Sequence, residues 1–274
     1  MIIKLMKPAN QPIQYHQVSP GQWETIDAEV IVETPVSLTV NGDVWLTFMC
    51  TPIDLEAMAI GFLFNEGLIK SAEEVADVRL CASGDNVDVW LHHSVDKPVK
   101  WRRTSGCTGG MTSVDHEAPS QPIANGGVLG ADQVGKLINQ LFESQQLYRA
   151  SGGVHTSALC DGQNILVVAE DIGRHNTLDK IAGHCLMEKI DSSKRIILTT
   201  GRISSEMLQK SARLKASIVI SRTSPSSLSI ELAQKWGITL IGYARRNRFN
   251  IYAHPERIVL APVSKEAEEE PIFA

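Results

Sequence analysis

Cys107 lies in the run Thr104-Ser105-Gly106-Cys107-Thr108-Gly109-Gly110, which cannot pack it in a regular element, and Arg102-Arg103 are near it in sequence. Cationic neighbours lower a thiol's pKa, and the thiolate is the nucleophilic form. A glycine-rich loop also has the freedom to accept a group at one surface and deliver it at another. The alternative is an idle, exposed thiol. Cys50, Cys81, Cys160 and Cys185 fall in or at the ends of apolar segments, where cysteine behaves as a small hydrophobe. Five cysteines, never spaced as Cys-x-x-Cys, argue against a disulfide scaffold or a dithiol oxidoreductase.

A second chemistry is written in arginines. Three apolar, β-branched runs each end in a polar turn: Gly201-Arg202-Ile203-Ser204-Ser205, Arg222-Thr223-Ser224-Pro225-Ser226-Ser227, and Tyr243-Ala244-Arg245-Arg246-Asn247-Arg248. Strand-to-helix turns need serine and threonine as caps, which accounts for the hydroxyls. It does not account for an arginine at every turn. The guanidinium fork donates two hydrogen bonds at once to a phosphate, so a phosphate-bearing ligand is expected at these ends. A further cluster, Asp171-Ile172-Gly173-Arg174-His175-Asn176, places an acid, a cation and an imidazole within five residues, and His155 could face the same point. Asp171, Arg174 and His175 fit an orienting or proton-handling site, and equally a structural Asp–Arg pair beside a half-buried histidine.

The charge balance supports the anion reading. The 274 residues carry a formal net charge of −5, yet residues 1–100 hold 6 basic and 14 acidic groups, while residues 194–257 hold 12 basic and 3 acidic. Such asymmetry marks an anionic partner or charged, solvated helix faces. No apolar run approaches the roughly 18 residues of a membrane span, and Met1 to Pro20 lacks the pattern of a secretory signal, so a cytoplasmic protein with reduced thiols is expected.

These groups must be held by elements of two kinds. Ala28 to Val40, the Asn41-Gly42 turn and Val44 to Met49 read as a hairpin. Thr51-Pro52-Ile53-Asp54 reads as the cap and first turn of a helix running from Leu55 to Ile69. Strands are expected at Val75–Cys81 and Val87–His93, followed by a loop and domain junction from Lys97 to Gly130. Beyond it, a helix from Asp132 to Tyr148 and a hairpin of Val154–Leu159 with Ile165–Ala169 precede alternating elements. Helices at Thr177–Lys189, Ser205–Lys215 and Ser226–Trp236 each lead into a strand, at Ile196–Thr200, Ile218–Ser221 and Ile238–Gly242, with Asn176 and Asp179 as a cap pair for the first. The pattern is α/β with crossover helices, and ligands in such sheets sit beyond the carboxyl ends of the strands.

Several chemistries are excluded. His155 is followed by Thr156-Ser157, not by the glutamate of a zinc deaminase, and no Cys-x-x-Cys follows, so no metal site is expected. There is no Walker motif and no Gly-x-Gly-x-x-Gly opening a helix. The chain resembles the FdhD family, the sulfur carriers or sulfurtransferases that support formate dehydrogenase. The resemblance is carried by Gly152-Gly153-Val154-His155-Thr156, Glu170-Asp171-Ile172-Gly173-Arg174-His175-Asn176 with Leu178-Asp179-Lys180, Gly201-Arg202, Ser224-Pro225-Ser226-Ser227-Leu228, and Arg248-Phe249-Asn250-Ile251-Tyr252.

What the resemblance implies is a cytidine-deaminase-like layered α/β domain over residues 126–274, without zinc, and a smaller strand-rich α+β domain over residues 1–125. It implies that Cys107 accepts persulfide sulfur from a cysteine desulfurase. The sulfur would pass to the molybdenum or tungsten bis(molybdopterin guanine dinucleotide) cofactor of formate dehydrogenase. Tyr243 to Arg248 match the family's cofactor-binding stretch, and the pyrophosphates of that cofactor suit convergent arginines. Gly201, Arg202, Arg222, Ser224, His155, Asp171, Arg174 and His175 complete the candidate site. The cysteine desulfurase and the formate dehydrogenase apo-enzyme are the implied partners, with no nucleic acid or membrane, and a homodimer is expected. One departure is plain: the family loop commonly reads Cys-x-x-Cys, whereas Gly110 stands three residues after Cys107. A single-persulfide mechanism needs only Cys107; a two-thiol mechanism would leave a chaperone that binds and delivers the cofactor, and a nucleotide-binding regulator is a third reading.

Overall fold

The structure is a computed structural model describing residues 8–99, 101–103, 111–112, 123, 127–193, 195–246 and 248–260. Cys107 and Asn247 therefore lie outside the described residues. The chain opens with β1 (Asn10–Ser19) and β2 (Gln22–Ile31), a two-stranded ribbon turned at Pro20-Gly21, where Gly21 has φ 81°. A proline followed by a glycine at positive φ is the type II turn pattern, so this hairpin was readable in sequence.

The expected single run from Ala28 to Val40 is two strands: Val32-Glu33 carries the chain from the ribbon into β3 (Thr34–Val40). β3 and β4 (Asp43–Cys50) form the Asn41-Gly42 hairpin, and β5 (Val75–Leu80) and β6 (Asn86–Leu91) complete a sheet of order β4-β3-β6-β5. Its inner face, with Val36, Leu38, Phe48 and Val89, packs on helix α1 (Leu55–Asn65). That helix starts later and stops earlier than the sequence pattern indicates. Its N-cap is Asp54, and the chain closes after it with Gly67 at φ 75° and the Leu68 N–H on the Leu63 carbonyl, a Schellman geometry that ends the helix before Ile69.

The short strands β7 (Arg102–Arg103) and β8 (Met111–Thr112) pair with each other, and β9 (Leu129–Gly130) leads into α2 (Ala131–Ser144). The expected helix from Asp132 to Tyr148 is broken at Gln145, and α3 (Leu147–Ser151) follows. The buried Glu170 carboxylate causes the break: it accepts the N–H groups of Gln146, Leu147 and Tyr148 at 2.8, 2.7 and 3.1 Å, fixing a fresh helix start.

Next come β10 (His155–Cys160), β11 (Ile165–Asp171), α4 (Arg174–Met187), β12 (Ile196–Thr199), α5 (Ser205–Arg213), β13 (Ile218–Ser221), α6 (Ser227–Trp236), β14 (Thr239–Gly242), β15 (Asn250–Ala253) and β16 (Ile258–Val259). The main sheet has the order β11-β10-β12-β13-β14-β15, with β12, β13 and β14 parallel and the others antiparallel. β16 pairs with β9. Strand alternation sends Leu159, Ile197, Val219 and Leu240 to the face covered by α4, α5 and α6, and Ala158, Leu198, Ile220 and Ile241 to the face covered by α2. The fold is thus mixed α/β, as expected, and no helix among the described residues is long and apolar enough to cross a membrane.

The two sheets are joined through α1 and α4, which cross at their backbones. A Cβ on Gly61 would lie 1.8 Å from the Asp179 carbonyl oxygen, and one on Gly183 would lie 1.8 Å from that of Ala57. Nothing can intrude between carbonyl and Cα at that separation, so a side chain at either position forces the helices apart. We expect Gly183→Ala to destabilise the fold by at least about 3 kcal/mol, the upper range for overpacking. Gly152→Ala, at φ 68° with open space around it, should cost only about 1 kcal/mol of left-handed backbone strain. Chemical denaturation of the two variants tests this, and equal midpoints would refute the crossing.

Candidate functional site

The strand directions bring the candidate residues to one end of the main sheet. The carboxyl ends of β11, β12, β13 and β14 lie there together with the starts of β10 and β15; His155 is opposite Asp171, Thr199 opposite Ser221, and Gly242 opposite Asn250. Backbone bonds stitch the turns into one surface. Ile203 pairs with Pro225 as a parallel bridge, the Ile203 N–H donates to the Ser224 carbonyl at 3.2 Å, and the Tyr243 N–H donates to that of Thr223 at 3.0 Å. Ser204 and Ser226 cap α5 and α6 through their hydroxyls, as turn chemistry requires.

Three hollows are lined by the arginines of the turns. A cleft of about 280 Å³ is lined by Arg174, Arg202, Ser204, Ser224 and Ser226. A second, of about 340 Å³, is lined by Tyr243, Arg245, Arg248 and Asn250. A third, of about 630 Å³, is lined by Asp132, Lys136, Asn139, Arg246, Arg248 and Phe249. Arg248 lines both of the last two. An elongated ligand with several negative groups matches a row of guanidinium groups interleaved with hydroxyls. Gly201 lets the first cleft close: a Cβ there would stand 2.9 Å from that of Arg174 and 3.5 Å from Nδ1 of His155.

Lys136 and Asn139 were not singled out in the sequence, because only the packing of α2 on this face brings them to the sheet end. One signal was present. Gly135 sits inside a helix where glycine is unfavourable, and a Cβ there would meet the Arg246 carbonyl oxygen at 2.1 Å.

Other candidates are placed differently. α4 begins at Arg174 with Gly173 as its N-cap, so Asn176 and Asp179 are not its cap pair. The Asn176 amide donates to Met49 and Asp171, and Asp179 is bound by Lys210 at 2.6 Å and by Asn65 at 2.7 Å. Asp171 has no exposed surface: it forms an ion pair with Lys180 at 2.7 Å and accepts from the backbone of Gly173 and Thr51. Thr51 likewise does not cap α1; its hydroxyl accepts the Ile172 N–H and its carbonyl accepts Lys180. Ala244 has its side chain in the core, and its carbonyl accepts from Arg222 at 3.0 Å and from Arg245 at 3.1 Å. Arg222 stacks over the Phe142 ring at 4.8 Å, which makes it a brace for the turn. Cys50, Cys160 and Cys185 are buried, and burial pushes the Cys185 thiol up to about 12 and that of Cys160 further. Cys81 is half-buried, with its thiol directed at Asp85 at 3.0 Å.

The histidines are neutral parts of this end. Burial, then the charges of Arg174 and Arg202, hold His155 below the ordinary histidine range against the pull of Asp171. His175 is almost fully enclosed, with Nε2 3.3 Å from the Ser204 hydroxyl. Burial first, and then Lys210, Arg174 and His155, hold it well below 6.5. A histidine whose folded pKa is depressed is protonated more readily when unfolded, so its contribution is complete above about pH 6.5 and is lost as pH falls toward the folded pKa. We expect stability to fall on acidification below pH 6.5 with a slope of up to about 1.4 kcal/mol per pH unit from this group. His175→Gln should flatten that slope in denaturation midpoints measured from pH 7.5 to 5; an unchanged slope would refute the assignment.

Comparison with known proteins agrees with this architecture. The FdhD/NarQ family model matches residues 31–259. Proteins named "Sulfur carrier protein FdhD" from Bacillus pumilus and Bacillus subtilis are 36% and 34% identical to the chain, over 89% and 87% of its length and 95% and 93% of theirs. A crystal structure from Desulfotalea psychrophila, carrying the description of a formate dehydrogenase accessory protein, superposes with a TM-score of 0.79 at 30% identity, covering 92% of this chain and all of that one. With two sheets joined through α1 and α4, an arginine-lined sheet end, and these matches over nearly its full length, the chain belongs to the FdhD/NarQ family.

Proposed function

We propose that this protein is a sulfur carrier for formate dehydrogenase: Cys107 takes up persulfide sulfur, and the arginine-lined sheet end holds the guanine dinucleotide pterin cofactor that receives it. The observation that carries the reading is the group of three hollows, two of them sharing Arg248, that are lined by Arg174, Arg202, Arg245, Arg246 and Arg248 in a family whose relatives are named sulfur carriers. Bis(molybdopterin guanine dinucleotide), as substrate, carries two pyrophosphates separated by the metal-bound pterins, and a row of charges answers that shape better than one phosphate pocket would. Uptake is a thiol exchange. The Cys107 thiolate attacks the terminal sulfur of the persulfide on a cysteine desulfurase, one S–S bond forms as another breaks, and the desulfurase cysteine leaves as thiolate.

Gly110, where the family loop commonly carries a second cysteine, favours a second reading: a chaperone that shelters the cofactor and delivers it to the apo-enzyme without handling sulfur. Intact mass after incubation with a cysteine desulfurase and cysteine separates the two. We expect the gain of one sulfur atom on the native chain and none on Cys107→Ala, together with loss of formate dehydrogenase complementation by that variant. No gain, or full complementation by Cys107→Ala, would reject the carrier reading and leave the chaperone. Arg202→Ala and Arg248→Ala should each weaken cofactor binding about 10-fold or more, the effect of one charge-assisted hydrogen bond of roughly 1.5–3 kcal/mol. Unchanged affinity would remove the pterin from this surface.

A further inference from the structure

The described chain leaves the fold at the largest of the three hollows. β16 runs parallel to β9, with Ile258 opposite Leu129 and Val259 opposite Gly130. Gly130 is the N-cap of α2, whose first residues, Ala131 and Asp132, line the hollow of about 630 Å³. Because the two strands are parallel, β16 brings the chain to the end at which β9 enters α2. Leu260 is therefore part of the wall, with Arg246, Arg248 and Phe249. It is 83% exposed, an apolar side chain that no described residue covers.

The cations of this hollow are not equivalent. Lys136 is ion-paired with Asp132 at 2.7 Å, one turn away on α2. Among the described residues, the guanidinium groups of Arg246 and Arg248 make no hydrogen bond or ion pair. The sequence supplies the opposite charge next. After Leu260 come Ala261-Pro262-Val263-Ser264 and then Lys265-Glu266-Ala267-Glu268-Glu269-Glu270, four carboxylates against one ammonium. An extended chain covers about 3.3 Å per residue, so Glu266 has a reach of about 20 Å from Leu260 and Glu270 of about 33 Å. Side chains that line the same hollow as Leu260 are within that reach. A single exposed ion pair is weak. A short tether, however, gives a segment a millimolar effective concentration, so a contact with a dissociation constant of about 1 mM is half occupied.

We propose that this hollow takes the chain's own acidic segment, residues 265–270, with its glutamates on Arg246 and Arg248, and that an anionic ligand must displace the segment to use those arginines. The docking rests on the hollow and the tether alone; that it regulates access of the cofactor rests on the sulfur-carrier reading. The segment lowers the apparent affinity of any anion that uses Arg246 and Arg248 by one common factor, set by the fraction of time the hollow is open. Salt screens exposed charges over about 10 Å at 0.1 M, so the factor shrinks as ionic strength rises.

Carbodiimide coupling of the full chain at low ionic strength, followed by digestion and mass spectrometry, tests the docking. The reagent joins a carboxylate to an amine in contact with it, and Lys136 is the one lysine lining the hollow. We expect an isopeptide bond from Lys136 to Glu266, Glu268, Glu269 or Glu270, with the Lys136–Asp132 bond reporting that the reagent reached the hollow. In an equal mixture of light and heavy-isotope-labelled chains, the links should join residues of one label. Absence of the link overturns the proposal, as do links of mixed label, which place the segment in a second copy. Calorimetric titration with inorganic pyrophosphate tests the competition. Glu266→Gln, Glu268→Gln, Glu269→Gln and Glu270→Gln combined should raise the affinity at low salt by about 2-fold or more, the factor for a half-occupied hollow, and the ratio to the native chain should close toward one at high salt. Equal affinities at low salt overturn the competition; if the Lys136 link is nonetheless present, it is the placing of the cofactor's phosphates in this hollow that fails.

Discussion

The contact on which the rest of the structure depends is the crossing of α1 and α4, where Gly61 and Gly183 let two helix backbones meet with carbonyl oxygens where side chains would otherwise stand. Close approach brings buried charge with it. Lys180 reaches from α4 to the Thr51 carbonyl and to Asp171, and Lys210 reaches from α5 to Asp179, which also holds Asn65 of α1. Removing one partner from such a pair leaves an uncompensated charge, at a cost of about 3–5 kcal/mol. The pairs therefore specify which part of the first sheet sits against which part of the second.

That junction also sets the site. Asp171 is the last residue of β11, and its carboxylate fixes the turn Ile172-Gly173 through the Gly173 N–H and through Asn176, so α4 starts with Arg174 and His175 in its first turn. Arg174 then reaches the cleft beside Gly201, and His175 reaches Ser204. The acid of the cluster thus shapes the surface from beneath, while the cation and the imidazole belong to its floor. Neutral histidines suit that floor, because a protonated imidazole there would add to a field already made by Arg174, Arg202 and Lys210.

Much of this architecture was legible from periodicity and turn chemistry. The Asn41-Gly42 hairpin, the alternation of α5 and α6 with β12, β13 and β14, and the hydroxyl capping of the strand-to-helix turns follow from local signals, although the last helix starts after Ser226 and not at Ser224-Pro225. Local rules failed where a distant side chain overrode them. Thr51-Pro52 has the form of a helix start, but Asp171 and Lys180, more than a hundred residues away, claim its polar groups. The pattern from Asp132 to Tyr148 has no glycine or proline near Gln145, yet Glu170 inserts a new helix start there by accepting three consecutive N–H groups.

By itself, the sequence determined the kinds of groups available and the strand ends on which most of them stand: an arginine at each of three turns, a glycine at Gly201, and a cysteine at Cys107 in a glycine-rich run. Tertiary structure alone decided what those groups face. It laid Arg222 over the Phe142 ring, enclosed Asp171, added Lys136 and Asn139 from α2, and set Arg213 at the opposite end of α5 from Ser204. The reason is physical. Residue type and spacing fix local conformation and charge, but whether a charge meets solvent, a ring or a counter-charge depends on surfaces that only packing creates.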